Sequence, residues 1–321
     1  MTSSTPSPHI APPLIAQCDS LAEVRLRIDQ ASDRVVINWD NAAPVSGLPI
    51  GLTHLAAFVC SIGLILVIGL LWLIALSIRD VSFIDAFWAF GMVLLAWGAA
   101  WQAGSDALHA KLLLGLTSLW GLRLAIHLTV RWVKHGEDPR YAKILARTME
   151  TKKWSWAKTA LLTVFLTQAP LLFITCLPAQ IGIWASGGAA ADGVGILAIV
   201  GVVAALIGIA FETIGDAQLD AFRKNPANKG RVLDTGLWRY TRHPNYFGDA
   251  LTWCGLWLIA ADIGPWVALA SVIGPLFLTF TLTKWSGKAL LEKGLHKTRP
   301  DYAAYVARTS GFIPWPPKTK V

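Results

Sequence analysis

Charge is scarce in this chain. Asp, Glu, Lys and Arg make up 15% of 321 residues, against about 25% in soluble globular domains, and an ordinary soluble protein is therefore excluded. Cysteine is also scarce. Cys18, Cys60, Cys176 and Cys254 stand alone, three of them in apolar runs, and no Cys-x-x-Cys or Cys/His pair has ligand spacing. Neither a structural disulfide nor zinc, nor any other metal, is expected. The first residues lack the basic stretch and apolar core of a signal peptide. Ser3, Ser4, Pro6 and Pro8 instead make residues 1–50 read as a flexible extension, with a short amphipathic helix around Leu21 to Ile28 as an option. No period of 20–50 residues repeats. Neither G-x-G-x-x-G after a strand nor G-x-x-x-x-G-K-[ST] occurs, so a Rossmann or P-loop mode of holding a nucleotide is excluded.

What is abundant is apolar sequence, 54% of the chain. A hydrocarbon core about 30 Å thick needs roughly 20 residues of helix. Uncharged runs near 52–78, 83–102, 108–133, 159–185, 193–214, 246–261 and 265–283 meet or approach that length. The expected fold class is an all-α integral membrane protein of about seven transmembrane helices, with residues 51–321 as one membrane domain. Basic residues fix its orientation, because they are retained on the cytoplasmic side. The 134–158 connection carries Lys134, Arg140, Lys143, Arg147, Lys152, Lys153 and Lys158, and the 215–245 connection and the segment after 283 are similarly basic. The connections 103–107, 186–192 and 262–264 have no Lys or Arg. This places the C-terminus in the cytoplasm and the N-terminus outside. The net charge of +8 is thus a topological signal and not a nucleic-acid footprint, and no protein partner is implied. Most of the sixteen Trp residues are expected at the membrane interfaces.

Chemistry concentrates in 212–253. Glu212, Asp216, Asp220 and Arg223 follow helical spacing and share one face, where ordinary pairs on a solvated helix end are the simplest account. Pro244 disfavours helix at His243, so the chain should turn there and begin its sixth span with Asn245 and Asp249 one turn apart. A carboxylate in an apolar helix is costly unless paired or facing a wet cavity, which makes Asp249 a functional candidate or a helix-to-helix partner. Arg223, Arg231, Arg242 and His243 together present donors suited to phosphate. Tyr240, Tyr246 and Trp253 offer rings for stacking.

The run Gly236-Leu-Trp-Arg-Tyr-Thr-Arg-His-Pro-Asn-Tyr-Phe-Gly-Asp249, with Trp253-Cys-Gly-Leu-Trp-Leu and Tyr305-Val-Ala-Arg308-Thr-Ser-Gly-Phe-Ile-Pro314, resembles the steroid 5α-reductase-like membrane proteins over roughly 110 residues. Isoprenylcysteine carboxyl methyltransferases share an Arg-His-Pro-x-Tyr-x-Gly pattern. The resemblance implies a cofactor site, mainly in 205–315, that holds NADPH for hydride transfer to the β-carbon of an enone. Within it, Glu212, Asp216, Arg223, Arg231, Tyr240, Arg242, His243, Asn245, Asp249 and Arg308 become cofactor-binding candidates. Glu212 stands where the family has Asn, and Asp249 where it has Glu. The family's acid pair is a Glu in the second span and a Tyr in the third. Here the second span offers Asp85, whereas the third has Arg123 and His127 but no Tyr. Asp85 and His127 are the catalytic candidates, with Arg123 an alternative partner for Asp85. The loop from Lys134 to Tyr141 is dense with donors and either closes over the cofactor or merely fixes topology.

The expected function is therefore an NADPH-dependent membrane reductase that saturates an activated C=C bond in a hydrophobic, steroid- or isoprenoid-like enone drawn from the bilayer, in a bacterial inner membrane. An S-adenosylmethionine-dependent methyltransferase is the alternative. The third is a non-enzymatic protein that binds membrane lipids.

Overall fold

Long runs of Leu, Ala, Ile and Val satisfy every backbone group within a helix, which hydrocarbon requires. The computed structural model describes residues 26–29, 34–37, 50–188, 193–285 and 288–318. Its helices, in chain order, are α1 (Ile50–Ile78), α2 (Ile84–Ala103), α3 (Leu108–His135), α4 (Pro139–Lys152), α5 (Trp156–Thr175), α6 (Leu177–Ala185), α7 (Ile196–Lys224), α8 (Pro244–Ala261), α9 (Pro265–Trp285), α10 (Lys288–Thr298) and α11 (Tyr302–Arg308). Among the described residues, α2, α3, α5, α7 and α9 are long and apolar enough to cross a membrane, the mark of an integral membrane protein. The expected runs at 52–78 and 246–261 fall on α1 and α8, which are helical but outside that set.

The chain divides into two compact units, Met1–Thr53 and His54–Val321. In the first, Leu26–Asp29 (β1) pairs antiparallel with Arg34–Ile37 (β2), Leu26 opposite Ile37 and Asp29 opposite Arg34. Leu26 to Ile28 are therefore extended and not helical. Val35, Val36 and Ile37 are β-branched and suit that pairing. The rest of the expected flexible extension, with residues 21–25, lies outside the described residues.

Three departures in the second unit have local causes. The run 159–185 is not one helix. It breaks at Cys176, where Pro178 supplies no amide to the preceding turn, and Gln180 Nε2 donates to the Phe173 carbonyl at 3.0 Å instead. Helix α7 continues ten residues past 214, because its charged residues keep the helical spacing. Helix α4, unforeseen, starts where Asp138 accepts from the Arg140 amide at 2.9 Å with Pro139 in the first turn.

Small residues bring the spans close enough to position side chains. Gly201, Gly208 and Gly215 recur every seventh residue on α7 and meet α8 at Gly255, Gly248 and Pro244. A Cβ at Gly208 would lie 2.5 Å from the Gly248 carbonyl oxygen, and one at Gly255 would lie 2.5 Å from the Gly201 carbonyl oxygen. The two backbones therefore touch along this seam, as small residues permit in membrane helices. Gly121 of α3 likewise sits against the Ala89 carbonyl of α2. Trp120 of α3 and Trp253 of α8, both fully buried, meet edge to face with ring centres 5.2 Å apart. At the far end of the same helices, Asp262 ties three starts and ends together. It lies 2.8 Å from His109 Nε2 and accepts from the Gly195 amide at 2.7 Å, and these bonds hold its carboxyl below the ordinary range although burial opposes them.

Candidate functional site

The glycine seam places α7 and α8 so that their polar side chains converge on α3. Arg123 lies 2.6 Å from Glu212 and 2.8 Å from Asp216. Trp120 Nε1 donates to Glu212 at 2.9 Å, and Asn245 Nδ2 donates to Asp216 at 3.2 Å. Asp249 is buried, and its charge acts on Glu212. One guanidinium thus faces three carboxyl groups. Asp249 Oδ1 and Trp253 Nε1 are buried with no hydrogen-bond partner among the described residues. An unmatched acceptor and donor side by side on α8 are costly in isolation and suit a ligand that brings the complementary groups.

A second cluster lies around the start of α2. The Tyr141 hydroxyl of α4 donates to Asp85 Oδ1 at 2.5 Å, with Arg140 at 3.4 Å and Arg131 at 3.8 Å from Oδ2. Burial first, and then the Asp85 carboxylate, push the Tyr141 phenol well above its usual range, so it keeps its proton through neutral pH. Arg140 is also hydrogen-bonded to Asp138, which holds the Asp138 carboxyl down against the effect of its burial. Tyr246 of α8 lies within electrostatic range of Asp85, Arg131, Arg140 and Asp249. His127, expected beside Asp85, has other neighbours, Asp216 at 3.9 Å and Asp220 at 3.8 Å. Arg123 serves Glu212 and Asp216 and not Asp85. The expected Asp85–His127 pairing is not made: Asp85 is bound by Tyr141, and His127 faces Asp216 and Asp220.

Arginine gathers beyond these carboxylates. Arg223, exposed at the end of α7, is acted on by the like charges of Arg131 and Arg299. Mutually repelling guanidiniums of this kind favour an anion between them. Arg231 is exposed nearby in sequence, and Tyr240 is 42% exposed, its amide donating to the Leu237 carbonyl and its carbonyl accepting from the Trp315 amide. Arg308 pairs with Asp234 and lines a cavity of about 540 Å³ with Arg239, Gly236 and Lys318.

Arg242 and His243 do a different job. Arg242 Nε donates to Glu292 at 2.9 Å and Nη1 to the Thr309 carbonyl at 2.8 Å, while His243 Nε2 lies 3.0 Å from the same Glu292. These bonds depress the Glu292 carboxyl to about 2 although burial opposes them, and burial keeps His243 below the ordinary histidine range. Thr241 bridges Ser310, and the Thr241 hydroxyl donates to the Phe312 carbonyl at 2.7 Å. The Arg-His pair therefore clamps α10 and the C-terminal segment onto the start of α8. His243 also stacks on Tyr246, ring centres 5.3 Å apart. Pro244 opens α8 where the turn was expected.

Sequence reasoning missed Tyr141, Arg131, Glu292 and Trp120 as participants. Tyr141 alone carried a signal, since it closed the donor-rich run that begins at Lys134.

Fold and site define a helical membrane protein with clusters of charged side chains contributed by α2, α3, α4, α7 and α8. The chain belongs to the DUF1295 family, described as proteins of unknown function, whose model matches residues 71–309. No curated protein and no solved structure matches it.

Proposed function

We propose that this protein is an NADPH-dependent membrane reductase that saturates the activated C=C bond of a hydrophobic enone. The observation that carries the reading is the order of groups from the basic end inward. Arg131 and Arg299 act on Arg223 as like charges, with Asp220 and Asp216 also acting on Arg223, Arg131 lies 3.8 Å from Asp85, and Asp85 holds the Tyr141 hydroxyl. In this reading the chain has seven spans, with the basic connections and C-terminus cytoplasmic, in a bacterial inner membrane. The resemblance to steroid 5α-reductase-like proteins supports it, since those proteins pair a second-span carboxylate with a tyrosine, and Asp85 with Tyr141 supplies such a pair.

The residues present fit the cofactor. The arginines suit its phosphates, and the partnerless Asp249 Oδ1 suits the amide hydrogens of a carboxamide. When bound, NADPH supplies the hydride. The chain supplies the rest. On substrate binding the Tyr141 hydroxyl turns from Asp85 to the substrate carbonyl and gives its proton to the enolate left by hydride addition at the β-carbon; that proton passes to the α-carbon, and solvent reprotonates the phenolate. Asp85, steadied by Arg140 and Arg131, orients that hydroxyl. Asn245 and Arg123 hold the Asp216 and Glu212 carboxylates in place before substrate arrives. The apolar spans exclude water and admit the substrate from the bilayer. The test is NADPH oxidation by purified protein against a panel of cyclic enones, with Tyr141→Phe as control. Consumption that depends on both an enone and Tyr141 is expected, and saturable binding of S-adenosylmethionine without NADPH binding would replace the reading with methyl transfer.

A further inference from the structure

A basic and aromatic corner lies where α1 ends and α5 begins, and no group of the proposed catalytic pocket is part of it. Arg79, directly after α1, stands over the Trp156 ring with its guanidinium carbon 5.3 Å from the centroid. Trp154 is flanked by two ammonium groups, Lys152 Nζ at 5.0 Å and Lys158 Nζ at 4.9 Å. Trp72 Nε1 donates to the Ala157 carbonyl at 3.0 Å and so fixes the α5 start against α1. Arg79 and Lys153 both hold positive φ, 57° and 54°, at the turns that end α1 and α4. Arg79, Lys152, Lys153 and Lys158 are all exposed, and none has a carboxylate within ion-pair distance among the described residues. The guanidiniums of Arg123, Arg140, Arg242 and Arg308, by contrast, each have a carboxylate partner.

Position identifies the occupant. Helix α5 is one of the membrane-crossing helices, and the corner sits at its first turn, at the depth where Trp rings collect at the boundary of the bilayer. The rings hold the cations there in place, and four unpaired cations at headgroup depth complement a negatively charged lipid surface. The geometry points to a binding site for an anionic phospholipid headgroup, with Arg79, Lys152, Lys153 and Lys158 as its phosphate ligands and Trp154 and Trp156 as its walls. Because Lys152 ends the same helix that carries Tyr141, an occupied site also braces α4.

The test uses the full chain, reconstituted in vesicles of phosphatidylcholine and phosphatidylglycerol, extracted again in mild detergent and analysed for retained lipid. Wild-type protein is expected to retain phosphatidylglycerol preferentially. The Arg79→Gln/Lys152→Gln/Lys158→Gln variant should lose that preference by at least about tenfold, within a ceiling on the order of a hundredfold for three headgroup contacts. A control with equal charge removed elsewhere, Lys143→Gln/Lys224→Gln/Lys229→Gln, should keep it. Lys158→Gln alone, a change on an exposed side chain, should lose about fivefold. Unchanged retention in the triple variant, or equal loss in the control, overturns the site.

Discussion

Replacing Gly208 by Ala tests whether the α7–α8 seam positions the pocket. Helix propensity alone favours Ala by about 1 kcal/mol. The structure opposes it. The new methyl would stand 2.5 Å from the Gly248 carbonyl oxygen, the Thr252 amide and the Thr252 hydroxyl, whereas ordinary contact begins at 3.4 Å. Two of those three atoms are backbone of the facing helix, so relief requires α8 to move away by about 0.9 Å. Overpacking of this kind costs typically about 1–3 kcal/mol. The net expectation is a lower unfolding midpoint in detergent by up to about 2 kcal/mol equivalent, and weaker NADPH binding, since Asn245 and Asp249 move with α8 relative to Asp216 and Glu212. Gly63→Ala and Gly115→Ala, helical positions with nothing within 4 Å, are the controls and should be neutral or stabilising. A Gly208→Ala protein as stable as these controls, with NADPH binding intact, would refute the argument that backbone contact at this seam sets the site.

Removing the half-buried cation of the cluster, as Arg123→Leu, leaves Glu212 and Asp216 facing each other without it. A loss of about 3–5 kcal/mol is expected, read as a fall in thermal midpoint. Tyr141→Phe should lower enone-dependent NADPH oxidation by roughly 10²–10⁴-fold while leaving NADPH affinity unchanged, because the hydroxyl acts on the substrate and not on the cofactor. The clamp of the C-terminal segment should weaken in acid in two stages. His243 is held below its ordinary value, so its contribution is lost as pH falls below roughly 6.5, where the unfolded chain takes the proton first. Glu292, depressed to about 2, contributes stability that is full above its ordinary range and lost as pH falls through that range towards about 2. Proteolysis near Phe312 followed against pH reads both stages, and a pH-independent rate would contradict the clamp.

The five long apolar helices were legible in sequence because hydropathy and length report burial in lipid directly, whereas the break at Cys176 and helix α4 were not. The convergence of Glu212, Asp216 and Asn245 was partly legible, from helical spacing and from Pro244 fixing the start of α8. What spacing along one helix cannot convey is which helix faces it. Arg123 was weighed as a partner for Asp85 and instead serves Glu212 and Asp216 of α7, an approach of two helices that no spacing within α3 records. Tyr141 was hidden for a related reason. It belongs to a short helix whose start depends on the Asp138 cap, and its partner lies 56 residues earlier in the chain. The roles of Arg242 and His243 depend on Glu292, whose segment lies beyond the motif that drew attention to them.

NADPH binding to the purified full chain, measured beside NADH and S-adenosylmethionine and repeated with Arg223→Ala and Asn245→Ala, tests the central claim most directly. Saturable NADPH binding that both substitutions abolish is the expected result. Binding of S-adenosylmethionine alone, or of no nucleotide by demonstrably folded protein, would contradict it.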